Sequence, residues 1–197
     1  MARASTLATI AALAACSAVA GAQATSGNPC ATPNLGALVG SAAAGAHGDD
    51  VKSLNCTLKA LYDVISGPAG QKRDWDRFRA LFAPGARLIP SVYQPDSVPS
   101  LRVWSVEDYI ATAGPRLESS GFFEKEVSRR TEQFGGVVHA FSTYESRRAA
   151  NDAKPFVRGI NSMQLFNDGT RWWIVTILWE SERAKSPIPA KYLVKSK

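Results

Sequence analysis

"GFFEKEVSRRTEQFGGVVHAFSTYESRRAANDAKPFVRGINSMQLFNDGTRWWIVTILWE" occupies residues 121–180. Its two halves each read as a pair of long strands joined by a short turn. Residues 122–133 and 137–148 meet at Gly135-Gly136, a dipeptide suited to the positive φ angles of a two-residue hairpin turn. Residues 156–166 and 171–180 meet at Asn167-Asp168-Gly169-Thr170, a stronger hairpin signal. Helical patterns precede all four strands. Helices first and an antiparallel meander second predict an α+β domain, with three N-terminal helices packed on one face of a curved, mainly antiparallel sheet.

The helical patterns begin near Val51. Leu54, Leu58, Leu61, Tyr62 and Ile65 recur at helical spacing until Gly67-Pro68 breaks the run. Asp74 caps a second helix whose apolar stripe is Trp75, Phe78, Leu81 and Phe82. The Pro84-Gly85 turn leads to a strand over 86–92. A short strand over 101–104 follows, and Ser105 with Asp108 then opens a third helix in the manner of a capping box. Gly114-Pro115 is expected to kink or shorten that helix.

Upstream of the domain the chain has a different character. Residues 1–24 contain one base, Arg3, no acid, an apolar run over 7–20 and then Ala22-Gln23-Ala24, the pattern of a secretory signal. The favoured reading is cleavage after Ala24 and a periplasmic or secreted protein. Leu13-Ala14-Ala15-Cys16 resembles a lipobox, so a lipoprotein anchored through Cys16 is the alternative. Residues 25–50 have the Gly, Ala, Ser and Pro content of a flexible arm. Residues 51–183 form the domain and 184–197 a C-terminal tail. Cys30 and Cys56 remain after cleavage, and in an oxidising compartment they are expected to form a disulfide.

Charge excludes some partners. Loss of Arg3 with the leader takes Lys+Arg from 23 to 22 against 17 Asp+Glu, a net charge of +5. The paired bases Arg129-Arg130 and Arg147-Arg148 lie beside Glu126, Glu132 and Glu145, a pattern of a solvated sheet face and not of nucleic-acid binding. No segment offers a membrane span, so membrane association is expected only through lipidation at Cys16. No nucleophile elbow, zincin helix, phosphate loop or paired Cys-x-x-Cys occurs, and the two histidines, His47 and His139, make a histidine metal site improbable.

The succession "LYDVISGPAGQKRDWDRFRALFAPGARLIP", "SVEDYIA", "HAFSTYESR" and "GINSMQLFNDGTRWWIVTILWES" resembles the SnoaL-like branch of the nuclear transport factor 2 superfamily, as an exported bacterial member. It spans residues 53–183 and rests on element order, a W-x-x-F helix and a G-x-x-W-x-I final hairpin. The resemblance implies a cone: helices close over the concave side of the sheet and leave a pocket at the open end. It also implies proton-transfer chemistry without metal or organic cofactor in the members that are enzymes. Fold does not decide function among such proteins.

Within such a cone several residues are candidates. His139 and Asp74 are the candidate acid/base groups, His139 because its ordinary pKa suits both roles. Each also has a structural role open to it: a two-residue turn at Gly135-Gly136 places Glu132 opposite His139, and Asp74 suits a helix N-terminus. Tyr62, Trp104, Tyr109 and Trp179 suit the lining of an apolar pocket. Pairing Phe166 with Thr170 places Val157, Gly159, Asn161, Met163, Trp173, Val175, Ile177 and Trp179 on one face. Asn161 is then the lone strongly polar side chain there and must be satisfied by neighbours, water or ligand. Arg158 falls on the opposite face, for an ion pair with Glu180 or for a ligand carboxylate.

Three functional readings follow. One is binding of a small, largely apolar molecule in the cone. Another is a cofactor-free lyase, isomerase or hydrolase using His139 or Asp74, with Asn161 or Tyr62 polarising the substrate. The last is a non-catalytic module that forms a homodimer through the outer sheet face.

Overall fold

The computed structural model describes residues 48–93 and 98–194. After a 3-10 turn over Gly48–Val51, helix α1 spans Leu54–Ile65, and the Ser53 hydroxyl caps it by accepting from the Cys56 N–H at 3.1 Å. Its stripe of Leu58, Leu61, Tyr62 and Ile65 is buried. Helix α2, Trp75–Ala80, starts at Asp74, whose carboxylate accepts from the Arg77 N–H at 2.9 Å. Helix α3, Val106–Ser120, opens with the expected capping box between Ser105 and Asp108. It runs on through Pro115 and ends at Gly121. Only glycine fits there: φ is 66°, and a Cβ would stand 2.7 Å from the Arg148 carbonyl oxygen.

The strands are β1 (Phe82–Val92), β2 (Ser100–Leu101), β3 (Phe123–Phe134), β4 (Val137–Arg147), β5 (Val157–Asn167) and β6 (Trp172–Ser181), ordered β2-β1-β6-β5-β4-β3 in one sheet. Pairing is antiparallel except between β1 and β6. The Pro84-Gly85 turn expected ahead of the first strand lies inside β1, where the register shifts between Phe82 and Arg87. The helices cover the concave face, and the core between the layers includes Leu58, Phe78, Leu81, Val138, Met163, Leu165 and Ile174.

Two registers decide which side chains face that core. In the first hairpin Phe134 pairs with Val137 across Gly135-Gly136, and Glu132 stands opposite His139 as expected. Closer to the start of β3 the register shifts between Glu126 and Ser128, leaving Val127 as an extra residue. In the second hairpin Phe166 pairs with Trp173 and not with Thr170, because Asp168 accepts from the N–H groups of Thr170 and Arg171 and closes a longer loop. A further shift then skips Val175, so Ile174, Ile177 and Trp179 share the concave side while Trp173 and Val175 do not.

The described part of the tail is attached to the domain. Its backbone crosses the convex face, where Thr143 donates to the Tyr192 carbonyl at 2.7 Å and Ser128 to that of Val194 at 2.6 Å. The Tyr192 ring packs edge-on against Phe141, with centroids 5.0 Å apart. This segment covers part of the outer face through which a homodimer is expected to form.

Candidate functional site

Strand β3 supplies the chemistry through its bulge. Even-numbered residues of β4, from Val138 to Ser146, are buried on the concave side. Because Val127 is extra, Glu124 pairs with Ser146 and Glu126 with Tyr144, so both acids lie on the concave side. An unbroken ladder from the Gly135-Gly136 turn would instead place Glu124 opposite Arg147, on the convex side. One inserted residue exchanges the faces.

Glu124 lies in an inner chamber of about 110 Å³, among Leu61, Phe78, Tyr109, Phe122, Tyr144 and Trp179. A vestibule of about 410 Å³ continues outward and shares Tyr109, Phe122, Glu124, Tyr144 and Trp179 with it. Burial raises the Glu124 carboxyl from 4.5 to about 7, while hydrogen bonds from Ser146 and Asn161 act in the opposite direction. The Ser146 hydroxyl donates to Glu124 Oε2 at 2.7 Å. A carboxyl of this kind is divided between its two protonation states near neutral pH. That suits it to both taking and giving a proton.

Behind the chamber a directed hydrogen-bond chain sets the polar groups. Asn161 Nδ2 donates to the Tyr62 hydroxyl at 3.1 Å, and Tyr62 and Ser142 are 2.7 Å apart. Ser142 donates to Glu126, so its one proton is committed and Tyr62 must be the donor in the Tyr62–Ser142 bond. Asn161, 7 % exposed, is satisfied by these neighbours, as a lone amide on an apolar face requires. Burial pushes the Tyr62 and Tyr109 hydroxyls upward and Tyr144 up to about 12, so all three are neutral donors. Tyr144 meets Ser181 at 3.2 Å.

Of the residues singled out from sequence, Trp104, Tyr109, Asn161 and Trp179 line the two cavities and Tyr62 backs them. Trp104, Tyr109 and Trp179 form a ring cluster, each pair with centroids 6.3 Å apart. The two acid/base candidates lie elsewhere. His139 sits between Val138 and Ala140 on the convex side, with Nε2 2.9 Å from Ser162 Oγ. Asp74 is committed to capping α2 and lines neither cavity. The acid/base role assigned to them fails on geometry, because neither reaches the cone.

Arg158 also lies outside the cone. It pairs with Glu182, Nη2 to Oε2 at 2.8 Å, and not with Glu180, which Arg183 takes. Cys56 is disulfide-bonded, and its expected partner Cys30 lies outside the described residues. Among the described residues no cluster of His, Cys, Asp and Glu is arranged to hold a metal, and no helix is long and apolar enough to cross a membrane.

Glu124, Glu126, Ser142, Tyr144 and Ser146 escaped the sequence reading. The signal was two acids at spacing two in one strand, opposite Ser, Tyr and Ser at spacing two in the next. It becomes visible only once the bulge is placed.

No protein-family model and no curated protein matches this chain. Solved structures do. The fold is similar to that of an NTF-2 like protein of unknown function from Silicibacter pomeroyi DSS-3, at 15% identity, covering 66% of this chain and 92% of that one, with a TM-score of 0.46. It is also similar to an NTF2-like protein of unknown function from Pseudomonas putida KT2440, at 11% identity over 71% and 88% of the two chains and a TM-score of 0.45. LinA is similar at 7% identity over 71% and 87%, with a TM-score of 0.45. These likenesses are of fold alone.

Proposed function

We propose that the cone binds a small, largely apolar molecule and that Glu124 exchanges a proton with it, in cofactor-free isomerase, lyase or hydrolase chemistry. The observation that carries this reading is the Glu124 carboxyl, held at about 7 in an aromatic chamber and opening on a vestibule. Asn161 and Ser146 fix its orientation, and Tyr109 and Tyr144 supply neutral hydroxyls beside it. A ligand oxygen in the chamber has donors to meet and an acid or base within the same walls.

Two measurements test it. Carbon-13 NMR of Glu-labelled protein, with the resonance assigned by its loss in Glu124→Gln, is expected to show a titration near pH 7. A midpoint near 4.5 refutes the acid/base role. Native mass spectrometry of protein purified from its own host is expected to find a retained apolar molecule, and an empty cone in every preparation refutes the binding role.

The SnoaL-like resemblance and export belong to the same proposal, the latter supported by the leader pattern of residues 1–24. The mass of the mature N-terminus distinguishes cleavage after Ala24 from lipidation at Cys16.

A further inference from the structure

Arg102, Arg116 and Arg148 all line the vestibule through which a ligand reaches Glu124. They come from three different elements. Arg102 follows β2, where its N–H donates to the Pro90 carbonyl at 3.2 Å. Arg116 lies on α3, and Arg148 follows the last residue of β4. All three are exposed.

What separates them from most other arginines of the domain is their partners. Arg77, Arg79, Arg129, Arg147, Arg158 and Arg183 each sit against a carboxylate. Among the described residues no carboxylate pairs with the guanidinium of Arg102, Arg116 or Arg148. The backbone N–H of Arg148 donates to the Asp152 carboxylate at 3.1 Å, but its guanidinium meets neutral groups, Nη1 donating to Ser120 Oγ at 3.0 Å and the group lying 4.1 Å from the Phe156 ring centroid. Among the described residues the one acidic member of the vestibule wall is Glu124, at the inner end and partly protonated near neutral pH.

The wall also carries flat apolar rings, Trp104, Phe122, Phe156 and Trp179, interspersed with hydroxyls such as those of Thr112, Tyr144 and Ser146. Like charges from three separate elements line one opening above a set of aromatic rings, and among the described residues none of the three guanidinium groups is paired with a carboxylate. An unpaired guanidinium presents a planar fork of donors that matches an oxyanion, and its field is strongest where low-dielectric walls concentrate it.

We propose that the natural ligand is an amphipathic anion: a flat apolar body that enters the vestibule toward Glu124, and a carboxylate or phosphate that stays at the mouth on Arg102, Arg116 and Arg148. This deepens the cone-binding reading and rests on it. The oxyanion role considered for Arg158 passes to the mouth. The geometry also sets orientation, since the anion anchors one end of the molecule and leaves the other for proton exchange.

The test uses matched probes of one shape. Affinities of the mature protein for 2-naphthamide, 2-naphthoate and 2-naphthyl phosphate are measured by calorimetry at low and at moderate salt. At low salt the better of the two anions is expected to bind roughly 10-fold or more tightly than the amide, the scale of charge-assisted hydrogen bonds, and to lose much of that advantage as salt rises. Which anion wins distinguishes carboxylate from phosphate. In R102Q/R116Q/R148Q the anion advantage is expected to fall below about 2-fold while the amide is unaffected, as loss of surface charge alone requires.

Equal affinity for amide and anions overturns the inference and leaves the cone reading standing. So does an anion advantage that survives in the triple variant. Failure of all three probes to bind overturns both. If the triple variant does not fold, R102Q/R116Q decides with the same readout, since both side chains are exposed and hold no structural bond among the described residues.

Discussion

Replacing Glu124 with Gln removes a titrating group from the cone and keeps its shape. In the folded chain the carboxyl gives up its proton at about 7, against an ordinary 4.5. Below pH 4.5 both folded and unfolded chains carry the proton, and burial of the neutral acid costs nothing extra. As pH rises from 4.5 to 7 the unfolded chain ionises first, so wild-type stability falls through this window and levels off above it. At about 1.4 kcal/mol for each tenfold difference in proton affinity, the full loss is about 3 kcal/mol, and solvent entering the chamber reduces it. The neutral amide of the variant does not titrate and carries no such loss. Urea unfolding of wild type and E124Q, with the disulfide intact, is therefore expected to give similar stabilities at pH 4.5 and a variant more stable by about 2 to 3 kcal/mol at pH 8. The two curves separate between pH 4.5 and 7. A difference between the two proteins that stays flat from pH 4.5 to 8, or a variant less stable at pH 8, refutes the claim that Glu124 is desolvated in the cone.

Further predictions concern the frame around it. In Gly159→Ala the new Cβ would stand 2.3 Å from the Tyr144 hydroxyl and 2.4 Å from the Glu180 carbonyl oxygen. Thermal unfolding is expected to show a loss of about 2 kcal/mol or more, from overpacking in a rigid sheet, and an unchanged midpoint would contradict the register of β5. Arg73 is 6 % exposed and donates to the carbonyls of Ile65, Gly67, Leu117 and Gln71. R73M is expected to cost about 3 kcal/mol by urea unfolding, since several buried acceptors lose their partner at once. His139→Ala is expected to change stability by less than about 1 kcal/mol and to leave any retained ligand in place, the cost of one half-buried hydrogen bond. Loss of the ligand in native mass spectra would restore His139 to the site. Peptide mapping without reduction is expected to link Cys56 to Cys30, and C56S to lose about 3 kcal/mol; a Cys56 bound to any other thiol refutes the pairing.

How far the fold could be read from sequence is clear from individual elements. The capping box at Ser105 and Asp108, the stop after Ile65 and the two-residue turn at Gly135-Gly136 are local signals, decided within a few residues, and they were legible. The places of Tyr62 and Tyr109 were legible from helical spacing on α1 and α3, and those of Asn161 and Trp179 from period-two alternation on β5 and β6. The acid was not. Its face depends on Val127, and nothing in the run of β3 announces a bulge: Val is an ordinary strand residue, and the polar residues on both sides carry no alternation that a bulge would interrupt. Trp173 and Val175 were put on the wrong face of β6 by the turn: Asp168 closes a longer loop, so Phe166 meets Trp173 and not Thr170. Arg158 was misassigned for another reason. Its partner Glu182 lies beyond the end of β6, outside the cross-strand pairs that register arithmetic can see.

That single residue in β3 has a consequence for how such chains diverge. Deleting Val127 would leave both glutamates in the sequence and yet turn Glu124 and Glu126 out to solvent, giving a cone without a carboxyl. Descendants of one ancestor could thus gain or lose an acid by a one-codon insertion or deletion, with no substitution at any pocket position. In an alignment the gap would stand beside Glu126 and three columns from Glu124, with both acids still matched. In this chain the number of residues between the hairpin turn and Glu124 decides its surroundings as much as the identity of the residue does.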